Sequence, residues 1–127
     1  MKRGKILLID DNEKDLQVTK ELLEKVGYTV IQNYGWLGTT NSIKFSEPDM
    51  VLLDVKMPAI TGDQLYDIIN KHLKERNIPV LFYSSLDESE LRKLKISKGV
   101  ADYISKGDIF QLFKKVSSYI RKNRYSN

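Results

Sequence analysis

The sequence predicts an α/β fold built on a parallel sheet, and three observations carry that prediction. Strand-like and helix-like segments alternate five times along the chain. Four short apolar runs, Ile6–Ile9, Met50–Leu53, Val80–Tyr83 and Ala101–Ile104, read as strands buried on both faces. At or just past the end of these runs stand Asp10 and Asp11, Asp54, Ser84 and Lys106.

Each element has its own local signal. After the first run, Leu16, Leu22, Leu23 and Val26 mark one face of a helix over Glu13–Val26. Tyr28–Gln32 reads as the second strand, and Trp36 is expected to pack over it. A weaker helix is expected over Leu37–Phe45, because Gly35 and Gly38 disfavour helix there. Pro48-Asp49 leads into the third strand. Thr61 and Gln64 form a capping box for a helix carrying Leu65, Ile68, Ile69 and Leu73. Pro79 opens the fourth strand, where a proline is tolerated. Ser85 and Glu88 are spaced as a second capping box, ahead of Leu91 and Leu94. After the fifth strand, Asp108 caps a helix with Ile109, Leu112, Phe113, Val116 and Ile120 at helical spacing.

Such alternation implies right-handed crossovers. Five strands in a chain of 127 residues predict a doubly wound, flavodoxin-like sheet in the order 2-1-3-4-5, with helices on both faces. Residues 1–127 then make one domain. Ligands of such sheets bind beyond the carboxyl ends of the strands, at the switch point between strands one and three. Asp10, Asp11 and Asp54 converge there.

Composition narrows the function. An apolar fraction of 41% suits a globular chain, and the lack of cysteine removes disulfide and thiolate chemistry. No apolar run approaches the roughly 20 residues of a membrane helix, so a cytoplasmic protein is expected. The net charge is +4 and uneven: residues 87–127 hold 10 basic and 5 acidic residues. That C-terminal excess fits a solvated surface or an acidic docking partner. No nucleic-acid motif accompanies it.

The convergent residues carry chemistry. Adjacent carboxylates repel unless a cation or a proton joins them. Hard oxygen ligands favour Mg²⁺. Asp54 is the natural nucleophile toward phosphorus, with Lys106 and the Ser84 hydroxyl placed to meet phosphoryl oxygens. The loop Asp10-Asp11-Asn12-Glu13 has no glycine, which argues against a phosphate-cradling nucleotide site. His72, the only histidine, lies beside an apolar stripe and reads as half-buried rather than as a ligand.

In order and spacing, Asp10-Asp11, Asp54 with Met57-Pro58, Gly62, Ser84 and Tyr103-Ile104-Ser105-Lys106 resemble the receiver domain of two-component response regulators. The resemblance covers nearly the whole chain. It implies that Asp54 accepts a phosphoryl group from a histidine kinase or phosphotransfer protein. It implies Mg²⁺ on Asp11, Asp54 and the Lys56 carbonyl, with Asp10 acting mostly through water. Ser84 and Tyr103 would be the switch pair, remodelling the face of helix four, strand five and helix five for a downstream protein. Such a protein is a switch, not an enzyme beyond its own phosphotransfer and dephosphorylation, and a monomer or a weak phosphorylation-dependent dimer.

Three departures stand out. Gly107 replaces the proline usual after the lysine, so a trans bond is expected there. The chain is basic where many receivers are acidic, so docking on the C-terminal face should weaken with salt. Lys56 lies two residues past Asp54, and Lys56→Ala is expected to change the dephosphorylation rate. Two rival readings remain. One is an interaction module that no longer uses phosphate, which the intact acidic cluster argues against. The other, a Mg²⁺-dependent phosphohydrolase, lacks the second acid expected at position 56.

Overall fold

A computed structural model describes residues 3–125, with side chains to residue 121. In chain order the elements are β1 (Gly4–Asp10), α1 (Glu13–Lys25), β2 (Tyr28–Tyr34), α2 (Thr39–Ser46) and β3 (Met50–Leu53). There follow α3 (Gly62–Glu75), β4 (Val80–Ser84), α4 (Glu88–Lys98), β5 (Asp102–Ser105) and α5 (Ile109–Tyr125). The five strands are parallel in the order β2-β1-β3-β4-β5, as expected.

Alternation along the strands sorts the core into two layers. Leu7, Ile9, Val51, Leu53, Val80 and Phe82 pack against Ile43 of α2, Leu65, Tyr66, Ile69 and Leu73 of α3, and Leu91 of α4. Their neighbours Ile6, Leu8, Met50, Leu52, Leu81 and Ile104 face the other way. They meet Leu16 and Leu23 of α1 and Leu112, Val116 and Ile120 of α5. Every residue of β3 is buried, which is why that segment reads as a continuous apolar run rather than an alternating one.

Several expectations need correction. Ile68 is 60% exposed, and Tyr66 takes the core place instead. At about 100° per residue, Leu65, Tyr66, Ile69 and Leu73 fall on one side of α3 and Ile68 falls outside it. His72 is exposed rather than half-buried. Ile109 shares the azimuth of Leu112 and Val116 but is exposed, because it opens α5 beyond the end of the sheet. Trp36 lies exposed in the β2–α2 connection. Gly38, in the left-handed region at φ 80°, delays the start of α2 to Thr39. The capping box at Ser85 and Glu88 does not form: α4 is preceded by Asp87, and the Glu88 carboxylate is engaged by Tyr103 and Arg92. At α3 the Gln64 carbonyl does accept from the Thr61 N–H, at 3.2 Å. Asp108 does cap α5, accepting from the Gln111 N–H at 3.1 Å.

Candidate phosphoryl and metal site

Backbone pairing delivers the acidic residues to one end of the sheet. Asp10 is the last residue of β1, and its carbonyl accepts from Gly35 N–H at 2.7 Å. The Asp54 N–H donates to Ile9 O at 2.9 Å, which extends the β1–β3 ladder and sets Asp54 beside Asp10. Lys106 N–H donates to Ser84 O at 2.9 Å and ties the end of β5 to the end of β4. Lys106 keeps the parity of Ile104, so its side chain projects on the α1–α5 side of the sheet.

Carboxylate oxygens of Asp10, Asp11 and Asp54 lie within 4.8 Å of one another. Asp10 and Asp54 are buried and Asp11 is partly exposed. Three hard oxygen donors that close suit a small divalent cation, whose charge would relieve their repulsion. The Lys106 ammonium stands over the cluster, with Nζ 2.7 Å from Asp10 and 3.5 Å from Asp54. Asn12 N–H donates to Asp10 Oδ1 at 3.0 Å, and Lys56 N–H to Asp54 Oδ1 at 3.3 Å.

The electrostatics follow from burial. Desolvation, joined by the negative charge of Asp10, raises the Asp54 carboxyl to about 6, although Lys106 opposes both. Burial alone would lower Lys106, but its hydrogen bonds to Asp10 and Asp15 and the charge of Asp54 outweigh that, and the ammonium is held charged.

Of the remaining predicted residues, Ser84 ends β4 and Lys56 follows β3, while Tyr103 is the second residue of β5. Ser84 is fully buried, and its Oγ accepts from Leu86 N–H at 3.4 Å. The Lys56 side chain is exposed at the rim. The Tyr103 ring is half-buried, with its hydroxyl donating to Glu88 at 2.9 Å and the Lys115 ammonium 4.5 Å from its centroid. Lys115 in turn holds Asp102 at 3.1 Å and the Tyr103 carbonyl at 2.7 Å. Gly107 has φ 92°, and no peptide bond among the described residues is cis.

Two positions that border the acidic cluster escaped the sequence reading in whole or part. Asp15, in the first turn of α1, places a carboxylate oxygen 2.8 Å from Lys106 Nζ. Its signal was its place beside Leu16, the first core residue of that helix. Gly62 enters the sequence reading only as one of the residues that carry the resemblance. A Cβ there would lie 2.0 Å from the Asp54 carbonyl oxygen, so α3 begins directly against the backbone of the acidic cluster.

Comparison with known proteins places the chain in a family and matches its fold. The family described as response regulator receiver domain matches residues 6–117. The response regulator GtcR of Aneurinibacillus migulanus is 31% identical over 80% of this chain, and the match spans 40% of that protein. The sensor protein GacS of Pseudomonas syringae is 29% identical over 80% of the chain, which corresponds to 12% of GacS. The chain therefore spans well under half the length of these two curated relatives. The response regulator DivK of Brucella ovis, 26% identical, is matched over 82% of its length. Among solved structures, the receiver domain of the Francisella response regulator 1452 superposes with a TM-score of 0.81 at 27% identity, covering 94% of this chain and 98% of that one. The BeF3-activated receiver domain of Klebsiella pneumoniae RstA gives a TM-score of 0.83 at 24% identity, covering 92% and 98%, which speaks to the fold alone.

Proposed function

The chain belongs to the response regulator receiver domain family of two-component systems, and on that premise we propose that Asp54 accepts a phosphoryl group from a phosphohistidine of a kinase or phosphotransfer protein. The observation that carries this reading is the Lys106 ammonium set between Asp10 and Asp54 above three clustered carboxylates. In the transfer, the phosphorus–nitrogen bond of the donor breaks as a bond to an Asp54 carboxylate oxygen forms. The departing imidazole nitrogen keeps the electron pair and is protonated.

Each residue has a part in that step. Asp54 attacks as the carboxylate, which predominates above pH 6. Lys106 meets the negative charge that gathers on the phosphoryl oxygens, and Ser84 can donate its hydroxyl to one of them. Asp11, Asp54 and the Lys56 carbonyl would hold Mg²⁺, with Asp10 reaching it through water; its charge would be shared with the phosphoryl oxygens. Tyr103 would turn inward as Ser84 engages the phosphoryl group, changing the face of α4, β5 and α5. Exposed Arg92, Lys93 and Lys114 on that face suit an acidic protein partner. The same reading makes residues 1–127 one receiver domain acting as a cytoplasmic switch. Among the described residues, no helix is long and apolar enough to cross a membrane.

Intact mass after incubation with acetyl phosphate tests this, with and without Mg²⁺ and alongside Asp54→Asn. The expected result is a Mg²⁺-dependent gain of one phosphoryl group, absent in the variant. No gain, from acetyl phosphate or from a phosphohistidine donor, would leave a phosphate-independent interaction module.

A further inference from the structure

The Asp15 carboxylate approaches Lys106 Nζ to 2.8 Å, about as near as Asp10 at 2.7 Å and nearer than Asp54 at 3.5 Å. A lysine ammonium has three N–H donors and no acceptor. Asp10 and Asp15 lie at hydrogen-bond distance from it, whereas Asp54 at 3.5 Å is an ion pair beyond that length. A phosphoryl group on Asp54 would bring new oxygens that need a donor from the same ammonium. With Asp10 and Asp15 already holding two donors, the ammonium turns fully to those oxygens only by loosening one of the two.

Burial decides which one. The Asp10 and Asp54 side chains are 2% and 4% exposed, whereas Asp15 is 41% exposed. A buried carboxylate that loses its partner has no water to replace it, but Asp15 does. Nor does Asp15 cap its own helix, since the Asn12 side chain accepts from the Asp15 N–H at 3.0 Å. Its carboxylate is committed to Lys106 and can be released to solvent.

We propose that Asp15 is a positioning residue that withholds Lys106 from the phosphoryl group. The ammonium leaves Asp15 to bond phosphoryl oxygens and returns when the group is lost. Asp15 makes and breaks no covalent bond; one hydrogen-bond acceptor at Nζ is exchanged for another. The competition weakens the hold of the site on a phosphoryl group and shortens its stay. This inference rests on Asp54 being the phosphoacceptor.

Beryllium fluoride with Mg²⁺, a stable stand-in for the phosphoryl group, is the probe, followed by fluorine NMR titration. Asp15→Asn should bind it about fivefold tighter than the parent, as expected for release of a partly exposed ion pair. Glu13→Gln removes the same charge from the same turn of α1, and should bind like the parent. A structural defect would weaken binding, so a gain separates the two causes. Equal or weaker binding by Asp15→Asn, or an equal gain in Glu13→Gln, overturns the role of Asp15 and leaves Asp54 as phosphoacceptor. Failure of the parent to bind beryllium fluoride, together with no mass gain from acetyl phosphate, overturns both.

Discussion

Asp54 illustrates how a buried carboxylate strains the protein that carries it. Its carboxyl is raised to about 6 by burial and by Asp10, so the folded protein takes up a proton there more readily than the unfolded chain does. Stability from the protonated form is fully present below about pH 4 and is lost as pH rises through about 6. At pH 7.5 in a chelator, Asp54→Asn should therefore be more stable than the parent, by about 1–3 kcal/mol in urea denaturation. The gain should vanish as pH falls toward 4; a destabilised variant at pH 7.5 would contradict this account. At Gly62 the constraint is steric. A methyl group 2.0 Å from the Asp54 carbonyl oxygen has to displace either α3 or the Asp54 backbone. Gly62→Ala should cost about 3 kcal/mol or more by denaturation. Asp54 was legible in the sequence because it ends an apolar run. The backbone approach at Gly62 was not, since it arises between segments that only the fold brings together.

At the scale of elements, α4, β5 and α5 are joined through Tyr103. Tyr103 of β5 is tied to α4 through Glu88 and to α5 through Lys115. Glu88 is also paired with Arg92 one turn on, at 3.3 Å. To turn inward, the Tyr103 ring must give up the Glu88 hydrogen bond and the Lys115 contact. Glu88→Ala should therefore shift the Tyr103 ring signals of the unphosphorylated protein toward those of the beryllofluoride-bound parent in NMR spectra. Signals unchanged from the parent would show that Glu88 does not hold the ring. The sequence spacing favoured Glu88 as half of a capping box with Ser85. The structure assigns its carboxylate to another element instead, because a competing donor, the Tyr103 hydroxyl, arrives from β5. Local spacing can nominate a cap but cannot see that competitor.

At the scale of the whole molecule, cation binding and folding are linked. The carboxylates of Asp10, Asp11 and Asp54 cluster only in the folded chain, so Mg²⁺ bound there would stabilise it. A Mg²⁺ concentration tenfold above its dissociation constant should add about 1.4 kcal/mol to the unfolding free energy of the parent near pH 7.5. Asp54→Asn should show much less of that increase, and so should the parent below pH 5, where Asp54 is mostly protonated. A Mg²⁺ effect equal in parent and variant would place the cation elsewhere.

The sequence by itself determined the sheet order and the identities of the residues at the strand ends. Both follow from one-dimensional signals: apolar runs with the buried-strand length, and helical stripes between them. These same signals placed Asp10, Asp54 and Lys106 together, because parallel strands send their carboxyl ends to one edge. Tertiary structure alone decided what those signals do not encode. It set Ile68 and His72 outside the core, removed Glu88 from its expected cap, and brought Asp15 to Lys106 across 91 positions of sequence. The Glu88 and Asp15 contacts depend on the distance and direction between elements, which packing of the two core layers sets and no local pattern carries; in α3, periodicity allows a stripe through Ile68 or one through Tyr66, and packing takes the second.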